Sequence, residues 1–162
     1  MIYLFASCST FHQPGTITNP SYTKIYLTDY NTVWQSTLDA LKRFERTVVN
    51  RQGGIIQTAW IDNTAEKNFT DTFGESPIYL KAKYRLTLSV APGTFKGKPS
   101  VKMTIQKEQL IQRDMLEGWT EVTTDSIDEN TILYRIGRLV YTKLKLKAIE
   151  EQKTKQILEE GV

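Results

Sequence analysis

The sequence has little cysteine and little histidine, and this scarcity excludes several kinds of site. One cysteine, Cys8, and one histidine, His12, occur among 162 residues. A single thiol allows neither an internal disulfide nor a zinc or iron–sulfur site made from several thiolates. The chain also lacks a glycine-rich phosphate loop, a nucleophile elbow and a metal-ligand motif. The sequence therefore predicts a binding protein without a metal, a cofactor or a catalytic function.

Long hydrophobic runs and a strong charge of one sign are also missing. The apolar run at residues 2–6 is far shorter than the roughly 20 residues that a membrane-spanning helix needs. The formal net charge of +3, from 21 basic and 18 acidic residues, is too small to indicate a nucleic-acid partner. A chain of 162 residues fits one domain with one core.

Two segments have the apolar spacing of amphipathic helices. The first is predicted over residues 31–45, after the candidate N-cap residues Asp29 and Asn31. The second opens at Ser126, with Glu129 at the spacing of a capping box. Its apolar stripe contains Leu133, Ile136, Gly137, Val140, Tyr141 and Leu144.

The strands are indicated by alternation of apolar and polar residues. We expect a short strand at residues 25–28, a hairpin of residues 47–51 and 55–62, a strand at 78–90, a loop at 91–99 and a strand at 101–106. This order predicts an α+β helix-grip fold, in which an antiparallel sheet of four to five strands carries both helices on one face. The domain is predicted at residues 24–162, after a flexible tail at residues 1–23. Trp34, Trp60 and Leu144 are expected in one core.

The tail contains a candidate lipidation site. Residues 4–7 read LFAS and precede Cys8, an apolar and small-residue run that resembles the lipobox of bacterial lipoproteins. Cys8 is followed by a tail rich in serine, threonine, proline and glycine, where a buried structural thiol is not expected. We therefore expect cleavage before Cys8, which would become the acylated mature N-terminus. Residues 1–7 would then be the remnant of a signal peptide.

A second resemblance concerns the domain itself. Trp34 lies in the first predicted helix, and the strand after the glycine turn reads GIIQTAW at residues 54–60. This order of motifs resembles the BamC family of outer-membrane lipoproteins, accessory subunits of the β-barrel assembly machine. The resemblance implies a helix-grip domain on the periplasmic side of the outer membrane, which binds other envelope proteins in membrane assembly. It covers roughly residues 24–148 and one domain, where the family has two. The small net charge separately predicts that the protein binds no nucleic acid.

Two regions exceed what folding requires and are candidate partner contacts. The connection at residues 62–77 is long for a compact domain and carries Phe69 and Phe73. The last helix continues past its strong apolar stripe with a sparse edge that includes Ile149 and Ile157. The basic row at residues 81, 83 and 85 is interpreted as the solvated side of a strand.

A small-molecule carrier is the alternative function, because helix-grip folds can open a cavity between the sheet and the long helix. Such a cavity would be lined by Tyr84, Leu86, Leu88, Tyr141 and Leu144.

Overall fold

The computed structural model describes residues 20–66 and 80–160, except for the side chain of residue 160. This part of the chain contains seven strands and two long helices, and residues 64–66 form one further helical turn. The main elements are β1 (Ser21–Tyr26), α1 (Tyr30–Ala40), β2 (Arg46–Asn50), β3 (Ile55–Thr58), β4 (Ile61–Asp62), β5 (Lys81–Phe95), β6 (Lys98–Gln112), β7 (Thr120–Val122) and α2 (Ile127–Glu160).

The described strands form one seven-stranded antiparallel sheet in the order β1-β6-β5-β3-β2. β4 pairs with β5 beside β3, and β7 pairs with β6 beside β1, so the seven strands occupy five rows. The predicted α+β fold with an antiparallel sheet is confirmed. The two additional strands arise because the rows beside β5 and β6 are interrupted. β1 begins at Ser21, inside the segment that the sequence assigned to the tail.

The core lies between the two helices and one face of the sheet. Alternate residues of β5 and β6 are buried there, as the period of two predicts. The helices add Trp34, which is 2% exposed, and a stripe on α2. The buried cluster contains Tyr26, Val33, Trp34, Ala40, Leu41, Ile56, Tyr84, Leu86, Leu88, Val90, Val101, Met103, Ile105, Ile132, Leu133, Ile136 and Val140.

The loop predicted at residues 91–99 is wrong. β5 and β6 continue as a hairpin whose turn is Lys96-Gly97, and both turn residues have positive φ, at 50° and 73°. This is the backbone of a type I′ turn, which matches the twist of two antiparallel strands. Pro92 is accommodated because β3 pairs with β5 only up to Ser89, which leaves Pro92 at an edge.

Both helices begin where the sequence predicts. Asp29 caps α1 by accepting a hydrogen bond from the Thr32 backbone N–H at 2.9 Å, but α1 ends at Ala40 rather than near residue 45. α2 begins directly after Ser126, although the expected capping box is not formed. The Ser126 hydroxyl instead hydrogen-bonds the Tyr22 hydroxyl, and Glu129 accepts from the Thr124 hydroxyl at 2.7 Å.

α2 has 34 residues and extends well past the core. Neither it nor any other helix in the described part of the chain has a stretch that is both long and apolar enough to cross a membrane.

The predicted turn between β2 and β3 depends on Gly54. Its φ is +64°, and a Cβ at this position would lie 2.1 Å from the Val90 carbonyl oxygen. The same contact includes a hydrogen bond of 2.7 Å from the Val90 N–H to the Gly54 carbonyl. Only glycine therefore allows this turn to approach β5 so closely.

Candidate functional site

Two tryptophans meet on the face of the sheet that the helices leave open. The Lys83 ammonium lies 4.8 Å from the centre of the Trp60 ring and 4.0 Å from that of Trp119. The Arg85 guanidinium also contacts the Trp60 ring, at 4.7 Å. We call Trp60, Lys83, Arg85 and Trp119 the tryptophan patch. The rings remain 37% and 41% exposed, so the cations hold them in place without covering them.

A β-bulge brings Trp60 to the open face. Gln57 pairs with Thr87, so uninterrupted pairing would set Trp60 opposite Tyr84, on the helix-covered face. Ile61 takes that place instead and packs against the core. One extra residue therefore lies between the two pairs, and it reverses the direction of the Trp60 side chain.

The connection between β6 and β7 brings in Trp119. Gly118, immediately before it, has a φ of 73°, which is unfavourable for residues with a side chain. β7 then pairs with β6, with Thr120 opposite the core residue Ile111. Because neighbouring residues of a strand alternate between faces, Trp119 lies on the open face with Lys83.

The same connection exposes two apolar side chains. Met115 is 79% exposed and Leu116 is 93% exposed, beside Trp119 in the sequence. The Leu116 N–H donates to the Asp114 carboxylate at 3.1 Å, which fixes the backbone of this turn. Leu80 is also exposed, and its N–H donates to the Gln112 carbonyl at the base of the same connection. Three large exposed apolar side chains thus lie at this end of the sheet.

Polar side chains near the tryptophans on the open face are paired with one another. Arg85 forms an ion pair with Glu108 on the neighbouring strand at 2.7 Å. The Gln57 amide donates to the Thr87 hydroxyl at 3.1 Å. These contacts order the surface around the tryptophans.

A second polar cluster lies under the start of α2, on the helix-covered face. Lys107 is 1% exposed, and its ammonium contacts the Asp128 carboxylate, with Asp125 at 3.8 Å and the Tyr84 ring centre at 4.7 Å. Burial, followed by the charges of Asp128 and Glu66, raises the pKa of Tyr84 to about 12. Since Lys107 is out of reach of a substrate, we assign the cluster to attachment of α2 to β6.

Two buried oxygens of this region, Gln109 Oε1 and Glu129 Oε2, have no hydrogen-bond partner. Among residues 20–66 and 80–160, no three histidine, cysteine, aspartate or glutamate side chains lie close enough together to hold a metal ion.

The residues predicted as functional have different outcomes. Cys8, Phe69 and Phe73 lie outside the described residues. Ile149 and Ile157 are exposed on the extended part of α2, away from the tryptophan patch. The basic row is not merely solvated, because two of its members contact the Trp60 ring.

The core prediction is wrong for two of its three residues. Trp34 is buried, whereas Trp60 and Leu144 are 37% and 38% exposed. The residues proposed to line a ligand cavity are also divided. Tyr84, Leu86 and Leu88 are packed in the core, and Tyr141 and Leu144 line a surface groove instead.

Sequence reasoning missed Trp119, Met115, Leu116 and Lys107. The first three had a detectable signal, because the apolar pair at residues 115–116 lies between Asp114 and Glu117 in a segment without a strand or helix period. Lys107 had none, since nothing in the local pattern indicates that this lysine is buried.

The chain matches no protein-family model and no curated protein. The resemblance to the BamC family, drawn from Trp34 and residues 54–60, stays a prediction.

Proposed function

We propose that the protein is a non-catalytic subunit of the bacterial envelope that binds another folded protein through the tryptophan patch and the neighbouring apolar turn. The observation that carries the proposal is the pair of half-exposed tryptophan rings, ordered by Lys83 and Arg85 beside the exposed Met115 and Leu116.

The composition of this surface favours a protein as the occupant. Tryptophan, methionine and arginine are enriched at the centres of protein interfaces, and tryptophan and arginine dominate the residues whose truncation costs most affinity. The rings are already oriented, so binding would cost little side-chain entropy. The exposed side chains of Met115 and Leu116 would be buried in a cavity on the partner.

The sequence motifs support the proposed location and partner. An acylated Cys8 would hold the domain at a membrane through the preceding tail, as in bacterial lipoproteins. The BamC-like motifs favour the periplasmic side of the outer membrane and a partner in the β-barrel assembly machine. The role would be that of an accessory scaffold, which positions a partner without chemistry of its own.

Site-specific photocrosslinking in native cells tests the proposal. A photoreactive residue at position 116 should crosslink to a subunit of the assembly machine, and the adduct should disappear in the Trp60→Ala/Trp119→Ala variant. Position 95, at the exposed tip of the β5–β6 hairpin, serves as the matched control and should give no such adduct. Identical adducts from both positions, or an adduct that survives loss of both rings, would contradict the proposal.

The lipid anchor has a separate test. Mass spectrometry of the protein from native membranes should show an acylated Cys8 as the first residue. An unmodified thiol with Met1 still attached would remove the anchor from the proposal while leaving the binding surface untouched.

A further inference from the structure

The free edge of β1 lies beside an open groove on the helix-covered side of the molecule. β1 pairs with β6 on one side, and no described strand pairs with its other edge. The groove between this edge and α2 has a volume of about 490 Å³. Its lining includes Lys24, Tyr26, Tyr134, Gly137, Arg138 and Tyr141.

The absence of a side chain at Gly137 lets Lys24 and Tyr26 of β1 pack closely against α2 at the floor of the groove. A Cβ there would lie 3.0 Å from the Lys24 Nζ and 3.7 Å from the Tyr26 ring. Tyr134, Arg138 and Tyr141 recur at spacings of four and three residues, so they form one ridge along α2. Both tyrosines of this ridge are more than half exposed. The groove thus offers apolar walls beside unpaired strand backbone.

The charged side chains that line the groove are both cationic. Lys24 lies 5.6 Å from the Tyr26 ring centre, and Arg138 donates to the Tyr134 hydroxyl at 3.4 Å. Lys145, one turn past Tyr141, lies over the ring of that tyrosine at 4.8 Å. An occupant would need carboxylates to complement these cations and apolar side chains to fill the space between them.

We propose that the groove binds an extended segment of another polypeptide that alternates apolar and acidic residues and adds a strand to the free edge of β1. Main-chain hydrogen bonds to the edge supply affinity, and alternate side chains enter the groove. The segment that precedes β1 in this chain does not fit, since residues 1–19 contain no aspartate or glutamate. A second copy of β1 does not fit either, because Ser21–Tyr26 contains one charged residue, Lys24, and no carboxylate.

This contact deepens the proposed binding function, and it uses residues separate from the tryptophan patch. A partner could engage both surfaces, in which case the two contacts would reinforce each other. Each can nevertheless fail alone, because the groove is tested with a peptide and the patch with crosslinking at position 116.

The probe is a fluorescein-labelled octapeptide in which valine and phenylalanine alternate with aspartate and glutamate, measured by anisotropy with the full chain. A peptide with lysine in place of every acidic residue is the reference. We expect the acidic peptide to bind at least about tenfold more tightly, a difference of about 1.4 kcal/mol. The Lys24→Glu/Arg138→Glu variant should reverse this preference. The Lys42→Glu/Arg43→Glu variant changes the net charge equally at exposed residues of another surface and should retain it.

Backbone methylation tests the strand pairing. Peptides methylated on alternate amides can be made in two registers, and only the register whose amides face β1 should lose binding. The Trp60→Ala/Trp119→Ala variant should bind the acidic peptide like the wild type. Equal binding of the acidic and basic peptides, equal effects of the two charge-reversal variants, or tolerance of methylation in both registers would each overturn the inference. Displacement of the peptide by a fatty acid would instead identify a ligand groove.

Discussion

The two faces of the sheet use tryptophan in opposite ways. On the helix-covered face Trp34 is 2% exposed and stacks on Tyr30 with ring centres 5.8 Å apart. On the open face Trp60 and Trp119 keep more than a third of their surface in water, and cations hold their rings. The first arrangement stabilises the fold. The second leaves apolar area for a partner, so the environment rather than the residue type distinguishes core from contact surface.

The largest expected effect on stability comes from a substitution on the helix-covered face. Trp34→Ala should lower the free energy of unfolding by about 3–5 kcal/mol, because it removes a large ring from a packed core. Urea denaturation measures the loss. A cost near 1 kcal/mol would mean that Trp34 is not the centre of the core.

The buried cation under α2 is the next test of the covered face. Asp128→Ala should lower the free energy of unfolding by about 2 kcal/mol, since it leaves the Lys107 ammonium buried with only the more distant Asp125. The figure lies below the range for a fully buried pair because Asp128 is partly exposed. Asp125→Ala is the matched control and should cost less, and the reverse order would contradict the assigned pairing.

High pH should lower the free energy of unfolding through two buried tyrosines of the helix-covered face. Burial raises the pKa of both Tyr26 and Tyr84 to about 12, from an ordinary value of 10.0. The folded chain therefore binds more protons than the unfolded chain above pH 10, so stability is complete below that pH and falls as the pH rises toward 12. The expected loss is on the order of 1 kcal/mol per tyrosine at pH 11.

The Tyr26→Phe/Tyr84→Phe variant isolates this effect from the titration of lysines. Its stability, measured by urea denaturation at several pH values, should fall less steeply above pH 10 than that of the wild type. Parallel curves would show that these hydroxyls do not determine the alkaline loss.

The smallest effect is expected on the open face. Trp60→Ala should lower the free energy of unfolding by about 1 kcal/mol or less, since it removes cation–π contacts at a half-exposed site. Iodide should quench the fluorescence of Trp60 and Trp119 but not that of Trp34. Three variants that each retain one of the three tryptophans allow each quenching to be measured separately. A cost for Trp60→Ala that approaches that of Trp34→Ala would remove the contrast between the faces.

Much of the covered face could be predicted because its signals are local. Alternation identified the buried residues of β5 and those of β6 up to Ile105. The side chain of Asp29 marked the start of α1, and Gly53-Gly54 marked the β2–β3 turn. The far end of the β5–β6 hairpin escaped prediction. This end projects beyond the end of β3, so neither face of it is buried and its side chains do not alternate between apolar and polar.

The candidate sites were less predictable because they depend on distant pairing. Lys83 and Trp119 are 36 positions apart in the numbering and meet through the pairing of β5, β6 and β7. The β1–α2 groove joins two elements from opposite ends of the domain. Neither site could be predicted from the local spacing of residues along the sequence.

The sequence by itself determined the α+β class, the dry face of each long strand and the start of each helix, since these depend on residue spacing, caps and glycine. Only the tertiary structure decided where Trp60 points. The pattern of Ile56 and Thr58 directs it to the core, and one extra residue opposite β5 turns it to the open face. The physical reason is that a strand has a period of two, so a shift of one residue in its pairing exchanges the faces of every side chain that follows.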